Sequence, residues 1–337
     1  MNQTFDAARD FYLQPPEFTE IRDAAANAGG QLVRTPLFES ERVNRIIGGR
    51  LLLKAEGLQR TGSFKARGAL NFIAGLPTAN RARGVVAYSS GNHGQAVSWA
   101  ASRLGIPALV IMPETAPAAK VERARGWGAE VRLIDWRAVD AKSLCQSIAA
   151  ERGMTMVSPF EDRRIIAGAG TLAMEVVEQA AEMRAPEPDA MLIGCSGGGL
   201  LAGCAIAAHA LSPQTEMWGV EPAGFDDLAR SLAARERLAN EPGHSSICDA
   251  LTARTMGDLT FSIAFRHVRG AVSVSDDEVM QAMRLAFEEF RIVVEPGGAA
   301  ALAAAMFGRV PVAGRTVAVV ASGSNVDAEL YRRALEI

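Results

Sequence analysis

The chain has 337 residues, 49% of them hydrophobic and 22% charged, which suits about two globular domains and excludes a disordered chain. The formal net charge is −3 and Lys and Arg are scattered, so the composition excludes nonspecific binding to nucleic acid or to an anionic membrane surface. The 4 cysteines, Cys145, Cys195, Cys204 and Cys248, form no CxxC pair and no Cys/His metal spacing, and read as reduced thiols of a cytoplasmic protein.

Residues 1–18 carry Asp6, Asp10 and Glu17 and lack the basic start and apolar run of a signal peptide. Apolar runs such as 191–193 and 317–321 are too short to span a bilayer. Strands are predicted at 51–54, 85–88, 108–112, 130–134, 191–194, 217–221 and 316–321. Helical patterns lie between them, at 94–104, 171–181, 200–210 and 276–290. Strands alternating with helices imply a parallel α/β fold, whose ligands sit beyond the carboxyl ends of the strands. The Pro-rich stretch 185–189 reads as a loop before a strand, and no internal repeat is visible.

The first such turn is Thr61-Gly62-Ser63-Phe64-Lys65-Ala66-Arg67-Gly68-Ala69, which opens a helix. Near the end of a sheet, desolvation lowers a lysine pKa and frees the amine for imine formation. Arg cannot substitute, because its guanidinium stays protonated. The chain has only four lysines, Lys54, Lys65, Lys120 and Lys142, so imine chemistry has four candidates. Taken alone, Lys65 reads more simply as a solvated lysine at a helix start.

The turn after strand 191–194 is Cys195-Ser196-Gly197-Gly198-Gly199-Leu200. Consecutive glycines let backbone N–H groups converge, and the helix that follows presents its positive end, which together make a phosphate cradle. The spacing matches neither a P-loop nor a dinucleotide-binding fingerprint. The turn alone leaves phosphate binding and tight packing both open.

In order along the chain, four segments together resemble the fold-type II pyridoxal-phosphate (PLP) enzymes, which are tryptophan synthase β-like. They are Leu58-Gln59-Arg60-Thr61-Gly62-Ser63-Phe64-Lys65, then Ser89-Ser90-Gly91-Asn92-His93-Gly94, the glycine turn, and Ser322-Gly323-Ser324-Asn325-Val326-Asp327. The resemblance runs from about residue 34 to 327 and is nearest to the threonine/serine dehydratase and serine racemase group. It implies two α/β domains with mainly parallel sheets. Residues 1–74 and 160–337 would form a large PLP-binding domain, and 75–159 an inserted small domain carrying the Ser-Ser-Gly-Asn-His-Gly loop.

The same resemblance implies the roles. Lys65 would hold the cofactor and then remove the substrate's α-proton. Ser196, Gly197, Gly198, Gly199 and Leu200 would bind the phosphate. Asn92 would bond the cofactor's 3′ oxygen, Phe64 would pack near its ring, and Glu295 would orient its edge or support the loop. Ser322 would face the pyridine nitrogen, and a neutral hydroxyl there favours prompt β-elimination over long-lived carbanion chemistry. Ser324 stands where the family usually has glycine, which puts the local loop shape in question.

Ser89, Ser90, Gly91, Asn92 and His93 would bind the substrate carboxylate at a helix start. Ser90 matches the acid/base residue of serine racemases, or it binds carboxylate only. The run Glu221-Pro222-Ala223-Gly224-Phe225-Asp226-Asp227 resembles the Mg2+ or Mn2+ site of serine racemase-like dehydratases, with ligands from Glu221, Asp227 and the Phe225 carbonyl, or it is a solvated acidic turn. His209, His244 and His267 lack partners at metal-ligand spacing.

The activity implied is dehydration and deamination of a β-hydroxy amino acid such as L-threonine, L-serine or 3-hydroxyaspartate, with amino-acid racemisation as the alternative on the same site. Cysteine-synthase-type β-replacement and a noncatalytic protein on this fold are further rivals, and the intact Lys65 opposes the latter. Arg137 or Arg254 is a candidate for a second substrate carboxylate, or else solvated. The short stretch after Ser322 leaves no room for a regulatory domain, which suggests a catabolic role. A homodimer is expected from the family.

Overall fold

The computed structural model describes residues 14–337. Most of the stretch from which the absence of a leader is read, residues 1–13, lies outside the described residues, as does the start of the large-domain segment 1–74.

Ten strands form two sheets: β1 (Leu37–Glu39), β2 (Arg50–Ala55), β3 (Val85–Tyr88), β4 (Ala108–Pro113), β5 (Glu130–Ile134), β6 (Thr155–Met156), β7 (Ala190–Gly194), β8 (Glu216–Pro222), β9 (Gly270–Val274) and β10 (Thr316–Ala321). One sheet runs β1-β2-β10-β7-β8-β9 and the other β5-β4-β3-β6. All pairings are parallel except β1 with β2. The fold is the α/β architecture with mainly parallel sheets that the sequence implies.

The strand chemistry follows from this burial. All six residues of β10, Thr-Val-Ala-Val-Val-Ala, are buried, as expected for a central parallel strand covered on both faces. The uniformly apolar helix Pro296–Met306 packs on one face of the larger sheet, among Leu51, Leu192 and Val319. The helices Arg163–Glu182 and Gly199–Leu211 cover the other, among Leu52, Met191 and Ala318.

Seven helices bear on the site: α1 (Lys65–Ala74), α2 (Asn92–Arg103), α3 (Ala118–Gly126), α4 (Arg163–Glu182), α5 (Gly199–Leu211), α6 (Asp227–Ala234) and α7 (Pro296–Met306). Helix α4 begins eight residues before the predicted 171–181. Gly168 and Gly170 argue against helix by propensity, but a Cβ at these positions would meet the Arg67 carbonyl at 2.6 Å and the Gly203 carbonyl at 2.7 Å. Close approach to α1 and α5 therefore decides the residue type. The predicted helix 276–290 stops as α-helix at Leu285 and finishes in a π turn, Ala286–Phe290. Strands β1, β6 and β9 escape the sequence reading: all three are edge strands, and β1 and β6 have only three and two residues.

Candidate active site

Helix α1 starts where β2 has ended and two short turns have reversed the chain. Its position is fixed by a buried ionic network. Arg67 donates to Glu56 at 2.7 Å and to Glu175 at 2.6 Å, and Lys54 donates to Glu175 at 2.6 Å, to Gln179 and to the Thr35 carbonyl. Lys54 is thereby committed to structure and drops out as an imine former. Lys65, at the first position of α1, is half-buried and lines a cavity of about 350 Å3. Its Nζ donates to the Pro159 carbonyl at 2.8 Å and lies 5.1 Å from the Phe64 ring centre. Burial pushes its pKa down to about 8, so a useful fraction of the amine is neutral near physiological pH.

The same cavity is lined by Phe64, Ser89, Ser90, Gly91, Asn92 and His93. Ser196, Gly197, Gly198, Gly199, Leu200, Glu295 and Ser322 also line it. All the residues predicted to bind substrate or cofactor are therefore brought together. The loop 89–93 leads into α2: the Gly91 N–H donates to Ser89 Oγ, no side chain caps the helix start, and Gly94 must be glycine because a Cβ there would lie 2.4 Å from the Ser89 carbonyl. His93 is buried, its Nε2 3.0 Å from the Val157 carbonyl. Desolvation, aided by the Lys65 charge, pushes its pKa down to about 3, so the ring is neutral.

Asn92 is held at both ends of its amide. Its Nδ2 donates to Glu295 at 2.6 Å, and its Oδ1 accepts from Asn325 Nδ2 at 2.7 Å. One Asn92 N–H remains to be used. Glu295 also accepts from the Asn325 N–H, and desolvation pushes its carboxyl up to about 7 against the pull of Asn92. Ser324 is bonded into the loop. Its hydroxyl donates to the carbonyls of Gly57 at 2.9 Å and Gly62 at 3.3 Å, tying the loop after β10 to the turns before Lys65.

In the glycine turn, Gly198 sits at φ +87°. A Cβ on Gly197 would come within 2.1 Å of the Phe160 ring, and one on Gly198 within 2.2 Å of Met256. Packing thus requires these glycines, and the turn is still open to the cavity. The first N–H groups of α5 have no partner within their own helix, and the residues that carry them line the cavity.

The acidic turn follows the neighbouring strand β8 and does not line this cavity. Glu221 is fully buried, and its two carboxylate oxygens accept from the N–H groups of Leu228 at 2.8 Å and Ala229 at 3.0 Å. Asp227 accepts from Asn240 at 2.7 Å and from the Met256 N–H at 2.9 Å. Desolvation pushes Glu221 up to about 8 and raises Asp227 as well. The carboxylates of Glu221 and Asp227 are therefore buried and hydrogen-bonded, while Ala223 is exposed and residues 224–226 are half-buried. Among the described residues no group of three His, Cys, Asp or Glu side chains is arranged to hold a metal. The rings of His209 and His267 meet with centres 4.8 Å apart.

Arg137 and Arg254 are exposed and do not line the cavity, in keeping with the solvated reading of both. The cavity wall instead presents Lys120, Arg123, Trp136, Phe160, Asp249 and Asn325, which the sequence reading gave no role. Lys120 stood out only as one of four lysines.

Residues 30–323 match the family model described as "Pyridoxal-phosphate dependent enzyme". The chain is 36% identical to L-threo-3-hydroxyaspartate ammonia-lyase of Pseudomonas sp, over 96% of this chain and all of that protein. It is 36% identical to serine racemase of Arabidopsis thaliana, over 96% of each chain. Among solved structures, a threonine deaminase from T.th. superposes with a TM-score of 0.86 at 41% identity, covering 93% of this chain and 99% of that one.

Proposed function

Because the chain belongs to the pyridoxal-phosphate dependent enzyme family, we propose that it is an ammonia-lyase that removes water and ammonia from a β-hydroxy amino acid such as L-threonine, L-serine or 3-hydroxyaspartate. The observation that carries this reading is the single cavity that joins a lysine of lowered pKa to an open, glycine-lined helix start and to the loop 89–93.

The residues present fit the cofactor. The glycine turn gives N–H groups at the start of α5 with no side chain in the way, Asn92 keeps a free donor, and Ser322 is a neutral hydroxyl on the cavity wall. When bound, pyridoxal phosphate supplies an electron sink for the charge left at the substrate's α-carbon. Residues 196–200 would hold its phosphate, Phe64 would pack by its ring, and Glu295, which accepts from Asn92, would keep Asn92 turned to its edge. The N–H groups and hydroxyls of Ser89, Ser90, Gly91, Asn92 and His93 bind and orient the substrate carboxylate. His93 is neutral and its ring nitrogen is engaged with the Val157 carbonyl, so its part in the loop is played by its backbone N–H. The neutral Nζ of Lys65 would take the α-proton and, as the ammonium so formed, return it to the β-hydroxyl, which leaves as water. The released enamine hydrolyses to a 2-oxo acid and ammonia. Assay of oxo acid and ammonia with a panel of the three substrates tests the reading, and release of neither from any of them would overturn it.

A racemase reading is favoured by one observation, the position of Ser90 on the cavity wall. With Ser90 returning a proton to the opposite face, Ser90→Ala abolishes interconversion of enantiomers while elimination of the L-substrate is less affected. A wild-type enzyme with no α-proton exchange in deuterated water excludes racemisation.

The acidic turn is proposed to hold Mg2+ or Mn2+. Each Glu221 oxygen uses one lone pair on an N–H and keeps another, and two carboxylates with a carbonyl, here that of Phe225, and waters suit a hard cation. The cation would be structural, since the turn does not line the cavity. The protein is further proposed to be a cytoplasmic homodimer, which light scattering of the purified enzyme and fractionation of the source cells would test.

A further inference from the structure

The two anion-binding elements of the cavity, the glycine turn and the loop 89–93, consist of backbone N–H groups and neutral side chains. Lys120 and Arg123 are of a different kind. They stand three residues apart on α3, hence on one face of that helix, and both line the cavity. L-serine and L-threonine carry no group that would use two cations.

Arg123 Nη1 donates to Asn325 Oδ1 at 3.2 Å, and among the described residues no carboxylate pairs with this guanidinium. Asn325 is the residue whose Nδ2 donates to Asn92 Oδ1, so Arg123 is tied to the group that sets the cofactor edge. The rest of the guanidinium fork is left for a planar, bidentate acceptor, which is what a carboxylate is. Lys120 faces Asp249 at 3.7 Å, beyond hydrogen-bond length, and the Asp249 side chain is 71% exposed, so its charge is largely screened by water. Apart from Lys65 and Glu295, which belong to the cofactor side of the cavity, the wall therefore carries two cations against one screened anion.

We infer that Lys120 and Arg123 form a subsite for a second substrate carboxylate, so that the preferred substrate is a dicarboxylic β-hydroxy amino acid; the inference rests on the β-elimination reading above. The α-carboxylate lies on the loop 89–93 at the start of α2, and the side-chain carboxylate reaches α3. The dicarboxylate thus spans two helices of the same half of the molecule. Asp249 and Asn325, from the other half, orient the two cations. A substrate with a cationic side chain, drawn to Asp249, is the opposing possibility.

The experiment measures kcat/KM of the holoenzyme for L-threo-3-hydroxyaspartate, L-serine, L-threonine and L-2,3-diaminopropionate, in the wild type and in Arg123→Gln, Lys120→Met and Arg123→Lys. Calorimetric binding of succinate and butyrate, which cannot react, is measured in parallel. The dicarboxylic substrate is expected to lead L-serine by at least about tenfold in the wild type. Loss of a charge-assisted bidentate contact lowers that ratio by about 30-fold in Arg123→Gln, and Arg123→Lys recovers part of it. Succinate binds at least about tenfold more tightly than butyrate, and Arg123→Gln removes the difference. Ratios that do not move in either charge-removing variant, succinate binding no better than butyrate, or a preference for diaminopropionate would overturn the subsite. If no hydroxy amino acid is eliminated, the β-elimination reading fails instead, and the succinate measurement still decides the subsite.

Discussion

Strands β7 and β8 are parallel neighbours, and each is followed by a turn and a helix, α5 after one and α6 after the other. The two turns answer one problem in opposite ways. Every helix start leaves N–H groups without an internal partner. After β7 the sequence removes side chains, with Gly197, Gly198 and Gly199, and the N–H groups of α5 stay open to the cavity. After β8 the chain supplies its own anion: Glu221 reaches forward to the N–H groups of Leu228 and Ala229 and closes the helix start. Topological position alone therefore does not make a binding site in this sheet. The site is the turn whose donors the chain declines to satisfy.

The largest expected effect tests whether the open turn faces the reactive amine. Lys65→Ala should lower elimination by more than about 1000-fold, and the variant should lose cofactor on gel filtration. In the wild type, borohydride trapping followed by peptide mapping should label Lys65 and not Lys54, Lys120 or Lys142. Because burial pushes Lys65 down to about 8, trapping by apoprotein mixed with cofactor should be slow at pH 6, rise through pH 8 and level off above, as the amine loses its proton. Label on any other lysine would break the comparison at its open end.

Next in size is a change that fills the open turn. A Cβ on Gly197 meets Phe160 at 2.1 Å, so Gly197→Ala should cost about 1–3 kcal/mol through overpacking and weaken cofactor retention. Gly197→Ala combined with Phe160→Leu should regain melting temperature without regaining full cofactor affinity, if the N–H groups need an unobstructed approach. Complete recovery of both would mean that the glycines serve packing alone.

The closed turn should behave differently. Glu221→Ala leaves the buried Leu228 N–H and the half-buried Ala229 N–H unpaired, which costs about 1–3 kcal/mol. Cofactor uptake at low temperature should persist, since Glu221 does not line the cavity. With the proposed cation in place, EDTA should lower the wild-type melting temperature and Mg2+ or Mn2+ should restore it, by about 2.7 kcal/mol at a hundredfold excess over Kd. Asp227→Ala should abolish that response. Melting that ignores both EDTA and added metal would leave the closed turn as a purely internal cap.

How much of this was legible follows from the kind of signal involved. The open turn could be read because glycine runs after an apolar strand are local, and so could Lys65 because lysine is scarce. Six of the ten strands are mostly buried and β5 is an exposed edge legible from its aliphatic residues, while β1 and β6 are edges of three and two residues and β9 is an edge that is only partly buried. The closure by Glu221 was not legible, since a carboxylate seven residues before Leu228 reads equally as ligand, cap or surface charge. Lys120, Arg123 and Asp249 were missed for a simpler reason. They reach the cavity from α3 and from the loop before residue 250, far in sequence from the motifs, and only the tertiary fold brings them to the wall.

The smallest effect probes the departure from the family at Ser324. Its hydroxyl donates to the Gly57 and Gly62 carbonyls, and its N–H also donates to Gly62, so it fastens the β10 loop to the segment that delivers Lys65. A Cβ at Gly57 would approach Ser324 Cβ at 2.9 Å, so the two chains are already in contact there. Ser324→Gly keeps the backbone bond and removes both side-chain bonds. The net loss should be about 1 kcal/mol, because two carbonyls next to the surface regain water while glycine adds freedom to the unfolded chain. Melting temperature should fall by a few degrees, as expected for a chain of this size. The Lys65 pKa, read from the pH dependence of trapping, should not move, since its shift comes from burial and not from this loop. If Ser324→Gly shifts that midpoint instead of the melting temperature, the loop after β10 sets the environment of the amine, and the open turn's partner is positioned by a side chain and not by packing.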